Sequence, residues 1–225
     1  MRSFLKGWSI WEAVWLVAFS ALAIWLSVLW GETWFGFSVF ITGVICVVLV
    51  AKGSIWNYAW GIYNVIGYAY LAYNNGYFGE LMLNAGFFLP IQVFGFFMWK
   101  KYMDGKEVKM KRLNLNWNIA ILIGSAVAVF LYGQALSLIQ GQNAPYLDSM
   151  STVLSVIAMF LMIYRYAEQW LLWMIVNVVS IVLWVLRIDS GVSGAAPMIA
   201  MWSAYLVNSL YGYIKWMKNG ELEYE

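Results

Sequence analysis

Apolar stretches recur along this sequence, each close to the length that crosses a lipid bilayer. A transmembrane helix needs about 20 predominantly apolar residues. Eight stretches meet that requirement, at about 10–30, 36–52, 55–73, 78–100, 117–139, 148–166, 168–187 and 195–217. With 64% hydrophobic and 11% charged residues, the chain also lies far from the composition of a soluble domain. We therefore predict an all-α integral membrane protein with eight transmembrane helices.

The first stretch could be mistaken for a cleaved signal peptide. A basic start, Met1–Lys6, precedes the apolar run, and Ser20–Ala23 resembles a cleavage site. The run continues to Trp30, however, which is too long for a signal peptide and favours an uncleaved first span.

Basic residues predict how the spans are oriented. With eight spans, both termini lie on one side of the membrane. The basic residues on that side would be Arg2, Lys6, Lys52, Lys100, Lys101, Lys106, Lys109, Lys111, Arg112, Arg165, Lys215 and Lys218. Only Arg187 would lie on the other side. Because Lys and Arg concentrate in cytoplasmic loops, both termini are predicted to be cytoplasmic. The long polar loop 100–116 is expected to anchor the topology at anionic lipid head groups, rather than to bind a specific partner.

The sequence contains an internal repeat, which is seen in pairs of residues that stand four positions apart in both copies. The matching pairs are Trp60 with Asn64 and Trp173 with Asn177, then Gly95 with Trp99 and Gly212 with Trp216. Spans two to four therefore correspond to spans six to eight. Because a single span separates the two copies, they have the same orientation, as in the sugar-transporter family called SWEETs.

This repeat predicts how the chain is organised. The predicted segments are an additional N-terminal helix at 1–35, a first three-helix repeat at 36–103, a basic cytoplasmic loop with a linker helix at 104–145, a second three-helix repeat at 146–218 and a cytoplasmic tail at 219–225.

Span seven combines aromatic and amide side chains on one helical stripe. Trp170, Trp173, Asn177, Ser180 and Trp184 fall within one third of the helix circumference. A buried amide without a partner costs on the order of a few kcal/mol, so this stripe should face away from lipid. Asn177 would then either line a cavity or form a hydrogen bond between helices.

Similar stripes occur in three other spans. They comprise Trp56, Trp60, Tyr63, Asn64 and Gly67 in span three; Asn84, Phe88, Gln92, Gly95 and Trp99 in span four; and Trp202, Tyr205, Ser209 and Gly212, with Asn208 at the edge, in span eight. Transporters built from repeats bind substrate near the bilayer midplane, where the copies meet. Matching amides and aromatics in both copies therefore favour the cavity. Pro90, inside span four, should kink its helix as a fixed bend or as a gating hinge.

The residue types limit the chemistry of the protein. The sequence has no histidine, and its one cysteine, Cys46, lies in an apolar run, so disulfides and Cys/His metal sites are not expected. Because no charged residue lies in the middle of a span, passive movement is favoured over proton coupling. Neither catalytic residues nor a cofactor are predicted. Amides and aromatic rings suit a small, ringed, hydroxylated molecule that is neutral or carries a delocalised positive charge.

Two motifs near the C-terminus resemble the PnuC family of bacterial nicotinamide riboside transporters. They are Trp170-x-x-Trp173-x-x-x-Asn177 and Asn208-x-x-Tyr211, and the resemblance covers about residues 36–218. It implies facilitated diffusion of nicotinamide riboside across the bacterial inner membrane, trapping of the riboside by a separate kinase, and a homotrimer. The additional first span departs from the commonest seven-span pattern.

The resemblance and the repeat together suggest a substrate site. Trp173 and Asn177 are the first candidates for contact, while Asn208 and Tyr211 would bind or gate. The other candidates are Trp170, Tyr205, Trp60, Asn64, Asn84 and Gln92. The expected partners are nicotinamide riboside and membrane lipids, with no metal and no nucleic acid. Thiamine, riboflavin or a sugar remain alternative substrates, and a non-transporting receptor or scaffold remains an alternative class.

Overall fold

The computed structural model describes residues 9–29, 31, 33–74, 81–140, 144–188 and 195–222, without the side chains of 72, 83, 187, 188 and 195–197. Within these residues the chain forms eight long helices. They are α1 Ile10–Leu29, α2 Trp34–Lys52, α3 Asn57–Asn74, α4 Leu89–Lys101, α5 Leu115–Ser137, α6 Pro145–Ile163, α7 Gln169–Ile188 and α8 Ala195–Asn219. Each matches one predicted span, with most ends shifted by up to three residues, although α4 covers only the later part of its span. The predicted orientation depends partly on Arg2, Lys6 and Arg187. The described residues do not include Arg2, Lys6 or the side chain of Arg187.

Five of the described helices are long and apolar enough to cross a membrane: α1, α2, α5, α6 and α7. The predicted span count is thus supported by length and hydropathy for these five. Helices α3 and α8 carry the tyrosines, amides and serines of the predicted site, which lowers their mean hydropathy. Helix α4 has only 13 residues, but a π-helical segment directly precedes it.

The fourth span departs from regular α-helix next to Pro90, where the sequence predicts a kink. Residues Leu83–Phe88 form the π-helical segment, and the N–H of Leu89 donates to the carbonyl oxygen of Asn84, five residues earlier. Pro90 has no N–H, and in a regular α-helix its ring would meet the carbonyl of Gly86. The wider π turn relieves that clash, so the proline and the π segment are two parts of one irregularity.

The chain divides into two compact units, Met1–Lys109 and Met110–Glu225. In the first unit α1 packs on α2, α2 on α3, and α3 on α4. In the second unit α5 packs on α6, α6 on α7, and α7 on α8. The additional N-terminal helix therefore packs on the first helix of its trio, as the linker helix does in the second unit.

A buried ion pair joins the start of α1 to the end of α2. Glu12 and Lys52 are both about 95% buried, and their charged atoms lie 3.0 Å apart. Ser9 and Glu12 cap the start of α1 reciprocally, since each side chain accepts the other residue's backbone N–H. A second carboxylate, that of Glu107, lies 3.7 Å from the Lys52 ammonium.

The first half of the loop that is predicted to be a polar anchor forms a β-hairpin in the first unit. Strands β1 Met103–Asp104 and β2 Glu107–Val108 pair antiparallel around Gly105, whose φ of 63° suits glycine. The N–H of Val108 donates to the carbonyl of Gly53 over 2.9 Å, and the Val108 side chain is buried. The hairpin is therefore attached to the end of α2.

The second half of the loop is built into the second unit. Strand β3 Lys111–Arg112 pairs in parallel with β4 Glu221–Leu222. On its other side, Lys111 exchanges backbone hydrogen bonds of 2.8 and 2.9 Å with Arg165 and Ala167, in the turn between α6 and α7. Within the predicted tail at 219–225, residues 221–222 therefore pair with a strand 110 positions away in the sequence.

Candidate functional site

Helix α7 turns its tryptophan and amide stripe away from the surface, as predicted. Trp170 and Asn177 are 3% exposed and Ser180 is 5% exposed. The opposite side of the helix is apolar and exposed, with Leu171, Ile175, Val178 and Val182 among its members. Polar groups are therefore buried against protein, and the hydrocarbon side chains are left for lipid.

Asn177 binds the neighbouring helix through its amide. Its Nδ2 donates to Oγ of Ser209 in α8 over 3.0 Å, and that hydroxyl donates to the carbonyl of Tyr205 over 2.9 Å. The adjacent Asn208 is 1% exposed. The interhelical hydrogen bond, one of the two interpretations of Asn177, is therefore present. It uses one of the two N–H donors of the amide, which also carries an acceptor oxygen.

Trp170 packs face-on against α8 at Gly212. A Cβ atom placed on Gly212 would lie 2.5 Å from the indole ring, so only glycine fits here. The ring of Trp216, one turn further along α8, meets Trp170 edge-on at 6.1 Å. Within the described residues, the indole N–H of Trp170 and both amide atoms of the fully buried Gln169 have no hydrogen-bond partner.

The first unit repeats this packing with different side chains. A Cβ on Gly95 of α4 would lie 2.6 Å from the ring of Tyr58 in α3, and Trp99 meets that ring edge-on at 5.2 Å. Tyr58 thus occupies the place of Trp170. An alignment of the two copies that matches Tyr58 with Trp170 is shifted by one residue from the alignment that matches Trp60 with Trp173. The reason is that Tyr58 stands two residues before Trp60, whereas Trp170 stands three residues before Trp173.

The amides of the first unit are buried in other ways. Asn64 donates to the carbonyl of Val39 in α2 over 2.6 Å. Gln92 is 7% exposed and packs closely on Gly61 of α3, since its Nε2 lies 2.8 Å from where a Cβ of that glycine would be. Its Oε1 has no hydrogen-bond partner in the described residues. Asn84 is also 7% exposed and lies in the π-helical segment. Of these amides, Asn64 forms a hydrogen bond between two helices of the first unit, α3 and α2.

The aromatic stripe of α3 is exposed, unlike the stripe of α7, which is mostly buried. Trp56, Trp60 and Tyr63 are 62%, 37% and 45% exposed. Asn64 and Gly67 instead turn towards Val39 of α2. Tryptophan and tyrosine suit both a buried wall and a membrane interface, so periodicity alone could not decide which surface they meet.

A cavity of about 1010 Å³ lies beside these aromatics within the first unit. Residues of α2, α3 and the hairpin line it, among them Trp56, Trp60 and Tyr63 of the α3 stripe. Trp173, Tyr205 and Tyr211 of the second unit are half-buried. In the second unit Trp170 and Asn177 thus lie at the α7–α8 contact. In the first unit Gln92 lies at the α3–α4 contact, whereas Asn64 contacts α2 and Trp60 lines the cavity.

Several residues at the α3–α4 and α7–α8 contacts were not predicted from the sequence. Ser209 was placed on the α8 stripe but not among the site residues, although it is the partner of Asn177. Tyr58 and Gln169, fully buried near the start of α3 and of α7, were not singled out. Tyr58 could not have been selected from the sequence, because its role depends on its packing against Gly95, which only the structure reveals. Within the described residues, no cluster of metal-ligating side chains occurs.

One buried carboxyl lies in the turn just before α7. Glu168 is 7% exposed, and its Oε1 accepts the N–H of Leu113 over 3.1 Å. Burial raises the pKa of Glu168 above its ordinary value of 4.5, while backbone hydrogen bonds and the charge of Arg112 act in the opposite direction.

Known proteins resemble this chain over nearly its whole length. A family profile described as "Nicotinamide mononucleotide transporter" matches residues 33–218. Proteins named "Nicotinamide riboside transporter PnuC" from Neisseria mucosa and Haemophilus influenzae are each 38% identical to it, over 96% of this chain and 84% and 94% of their own length. A crystal structure described as that of the vitamin B3 transporter PnuC superposes with a TM-score of 0.79, at 38% identity, over 96% of this chain and 94% of that one. The chain belongs to the nicotinamide mononucleotide transporter family, the family of these PnuC proteins.

Proposed function

We propose that this protein carries nicotinamide riboside across the bacterial cytoplasmic membrane by facilitated diffusion. The observation that carries the proposal is its 38% identity, over 96% of its length, to proteins named for that transport. A second, independent support is the uncharged polar face that α7 and α8 bury, in which Asn177, Asn208 and Ser209 are each at least 97% buried.

The chemistry of this face fits a riboside. A pyridinium ring is flat and cationic, and tryptophan faces attract such a ring without a formal negative charge. The carboxamide and the ribose hydroxyls need donors and acceptors, which asparagine supplies in both kinds. We assign contact first to Trp173 and Asn177, with Trp170, Asn208, Tyr205 and Tyr211 around them. In the first unit we assign supporting roles to Trp60, Asn64, Asn84 and Gln92.

The same face favours the riboside over the mononucleotide named in the family description. A phosphate carries up to two negative charges and is normally bound by Arg, Lys or several N–H groups. Among the described residues, no buried Lys or Arg belongs to α7 or α8. Binding a mononucleotide there would leave the phosphate charge uncompensated in a low-dielectric environment, at a cost of several kcal/mol.

The proposal includes the following architecture and setting. All eight helices cross the membrane, with both termini in the cytoplasm, and α2–α4 and α6–α8 form two parallel three-helix repeats. Three copies assemble, each with its own pathway. Uptake is downhill, and a separate kinase retains the product inside by phosphorylating it. The packing of Tyr58 on Gly95 and of Trp170 on Gly212 supports the repeat.

Uptake of labelled nicotinamide riboside into liposomes containing the purified protein tests this function. Uptake should stop at equal concentrations inside and outside, with no pH or sodium gradient imposed. Excess unlabelled nicotinamide riboside should compete, whereas nicotinamide mononucleotide, thiamine, riboflavin and glucose should not. Accumulation above the outside concentration in a proton gradient would contradict facilitated diffusion, and stronger competition by another compound would change the substrate.

A further inference from the structure

The two ends of the cavity in the first unit carry different side chains. Ser38 and Thr42 of α2 and Tyr63 of α3 line one end, which we call the hydroxyl end, and Lys52 and Lys106 line the end at the hairpin. Ser38 and Lys52 stand fourteen positions apart on α2, which is about 21 Å at the rise of an α-helix. The hydroxyl end therefore lies well away from the lysines, and the side chains that line it are uncharged among the described residues.

The hydrogen bonds at the hydroxyl end determine where each hydroxyl hydrogen points. A hydroxyl has one hydrogen to donate and two lone pairs that can accept. Ser38 Oγ donates its hydrogen to the carbonyl of Phe35 over 2.7 Å, and it lies 2.8 Å from the hydroxyl of Tyr63. Because the serine has no second hydrogen, Tyr63 is the donor to Ser38. Thr42 likewise donates to the carbonyl of Val39 over 2.8 Å.

The hydroxyl end thus offers hydrogen-bond acceptors but no hydroxyl donor. The hydrogens of Ser38, Thr42 and Tyr63 all point at protein atoms, whereas each of the three oxygens keeps at least one lone pair. Trp60, 37% exposed, lines the same cavity one helical turn from Tyr63. Lone pairs and aromatic faces both carry partial negative charge, so this end attracts N–H groups and delocalised cations and repels carboxylates.

We propose that the hydroxyl end binds the nicotinamide ring of the riboside, and that Tyr63 and Ser38 select its carboxamide over a carboxylate. The pyridinium ring lies against Trp60, and the carboxamide N–H groups donate to the oxygens of Tyr63 and Ser38. The corresponding acid, nicotinic acid riboside, carries a negative charge and no donor at that position. A hydrocarbon chain would likewise give these oxygens no donor. The assignment rests on the proposed transport of nicotinamide riboside.

Uptake into liposomes, with nicotinic acid riboside as competitor, tests the assignment. The wild type should prefer the amide to the acid about tenfold or more. Tyr63→Phe removes an acceptor, and the riboside concentration at half-saturation should rise about fivefold, the effect of one hydrogen bond. Tyr70→Phe is the matched control, because Tyr70 is also an exposed tyrosine of α3 but is not among the described residues that line the cavity.

A second variant tests the direction of the hydrogen bond. In Ser38→Ala the Tyr63 hydroxyl loses its acceptor, so its hydrogen becomes available to a ligand. The preference for the amide over the acid should then fall about fivefold, because the acid gains a donor. A merely structural role of Ser38 would weaken both compounds equally. An unchanged ratio of amide to acid in Ser38→Ala, or an unchanged half-saturation in Tyr63→Phe, would overturn the assignment.

Failure of this assignment can be told apart from failure of the proposed function. If the wild type takes up no nicotinamide riboside, the proposed function is wrong and the assignment falls with it. If the wild type takes up the riboside while Tyr63→Phe and Ser38→Ala keep its half-saturation and its preference, transport stands and the hydroxyl end does not bind the ring. The second result is the one expected if a lipid chain fills the cavity.

Discussion

The indole ring of Trp170 lies directly on Gly212, so closely that a methyl group on that glycine would come within 2.5 Å of the ring. Gly95 stands in the same relation to Tyr58, at 2.6 Å. In both units an aromatic side chain near the start of one helix thus requires a glycine on the next. Small residues of this kind let membrane helices approach closely, which is how they gain packing energy without a hydrophobic driving force.

Adding a methyl group at these contacts should destabilise the protein. We expect Gly212→Ala and Gly95→Ala each to cost about 1–3 kcal/mol, because the aromatic ring or the backbone must move. Gly124→Ala in α5 is the matched control, since nothing lies within 4 Å of its Cβ position. Gly124→Ala should be neutral or stabilising by about 0.5–1 kcal/mol from helix propensity. Thermal unfolding in detergent measures all three, and equal effects would contradict the close packing.

Two substitutions separate the structural role of Asn177 from its proposed binding role. Asn177→Ala and Ser209→Ala both remove the 3.0 Å interhelical hydrogen bond and should each cost about 1 kcal/mol of stability. Only Asn177→Ala also removes the proposed substrate contact, so it alone should reduce riboside uptake by tenfold or more. Stability and liposome uptake are measured on the same preparations. Equal loss of uptake in both variants would show that Asn177 acts only by joining α7 to α8.

The buried pair of Glu12 and Lys52 should be sensitive to the loss of either partner alone. Glu12→Gln removes the nearer of the two carboxylates beside the buried Lys52, and we expect a loss of up to about 3–5 kcal/mol. Changing both residues, Glu12→Gln with Lys52→Met, should recover much of that loss because no buried charge remains. Thermal unfolding of the single and double variants decides. Additive losses would mean that the two charges are independent.

Glu168 should make stability depend on pH in a defined direction. Because burial raises its pKa in the folded protein, the folded state binds the proton more tightly than the unfolded state. The contribution of Glu168 to stability is therefore largest below its ordinary pKa of 4.5, and is lost as pH rises through the raised value.

Glu168→Gln should abolish that dependence and increase stability at neutral pH. The glutamine retains an acceptor for the N–H of Leu113, whereas Glu168→Leu removes it and should destabilise at every pH. Midpoints of thermal unfolding recorded from pH 4 to pH 8 test both variants. A glutamine variant that is less stable than the wild type at neutral pH would show that the charge of Glu168 is favourable, through Arg112.

Pro90 offers a test of the predicted hinge. Pro90→Ala restores a backbone N–H next to the π-helical segment and should allow a regular α-helix there, with a gain in stability. If bending of this helix gates the pathway, uptake should slow while half-saturation stays the same. Uptake at several riboside concentrations distinguishes the two. Unchanged uptake would make the bend a fixed one.

The sequence predicted those features that follow from periodicity. The eight helices match the predicted spans, with most ends shifted by up to three residues, and Trp170 and Asn177 of the α7 stripe are buried because a 3.6-residue period places them on one side. Periodicity finds a stripe but not its surroundings, so it could not predict that Trp56 and Trp60 of the α3 stripe are exposed.

Partners distant in sequence could not be predicted in the same way. Asn64 binds a backbone carbonyl of α2 and Asn177 a hydroxyl of α8, and both depend on which helices are neighbours and at what height. The pair of Glu12 and Lys52 had a signal, since both lie near the ends of adjacent spans that share one side. The basic loop was judged by its charges, whereas its buried Val108, Met110 and Leu113 determine its packing.

The pairing of β4 with β3 has a practical consequence for handling the protein. Glu221 and Leu222 add a strand to Lys111 and Arg112, and Lys111 is itself hydrogen-bonded to the turn before α7. An affinity tag fused immediately after α8, in place of these residues, would remove the strand pairing that connects the beginning and the end of the second unit. Tags and reporter fusions should therefore follow residue 225, where they leave this strand pairing in place.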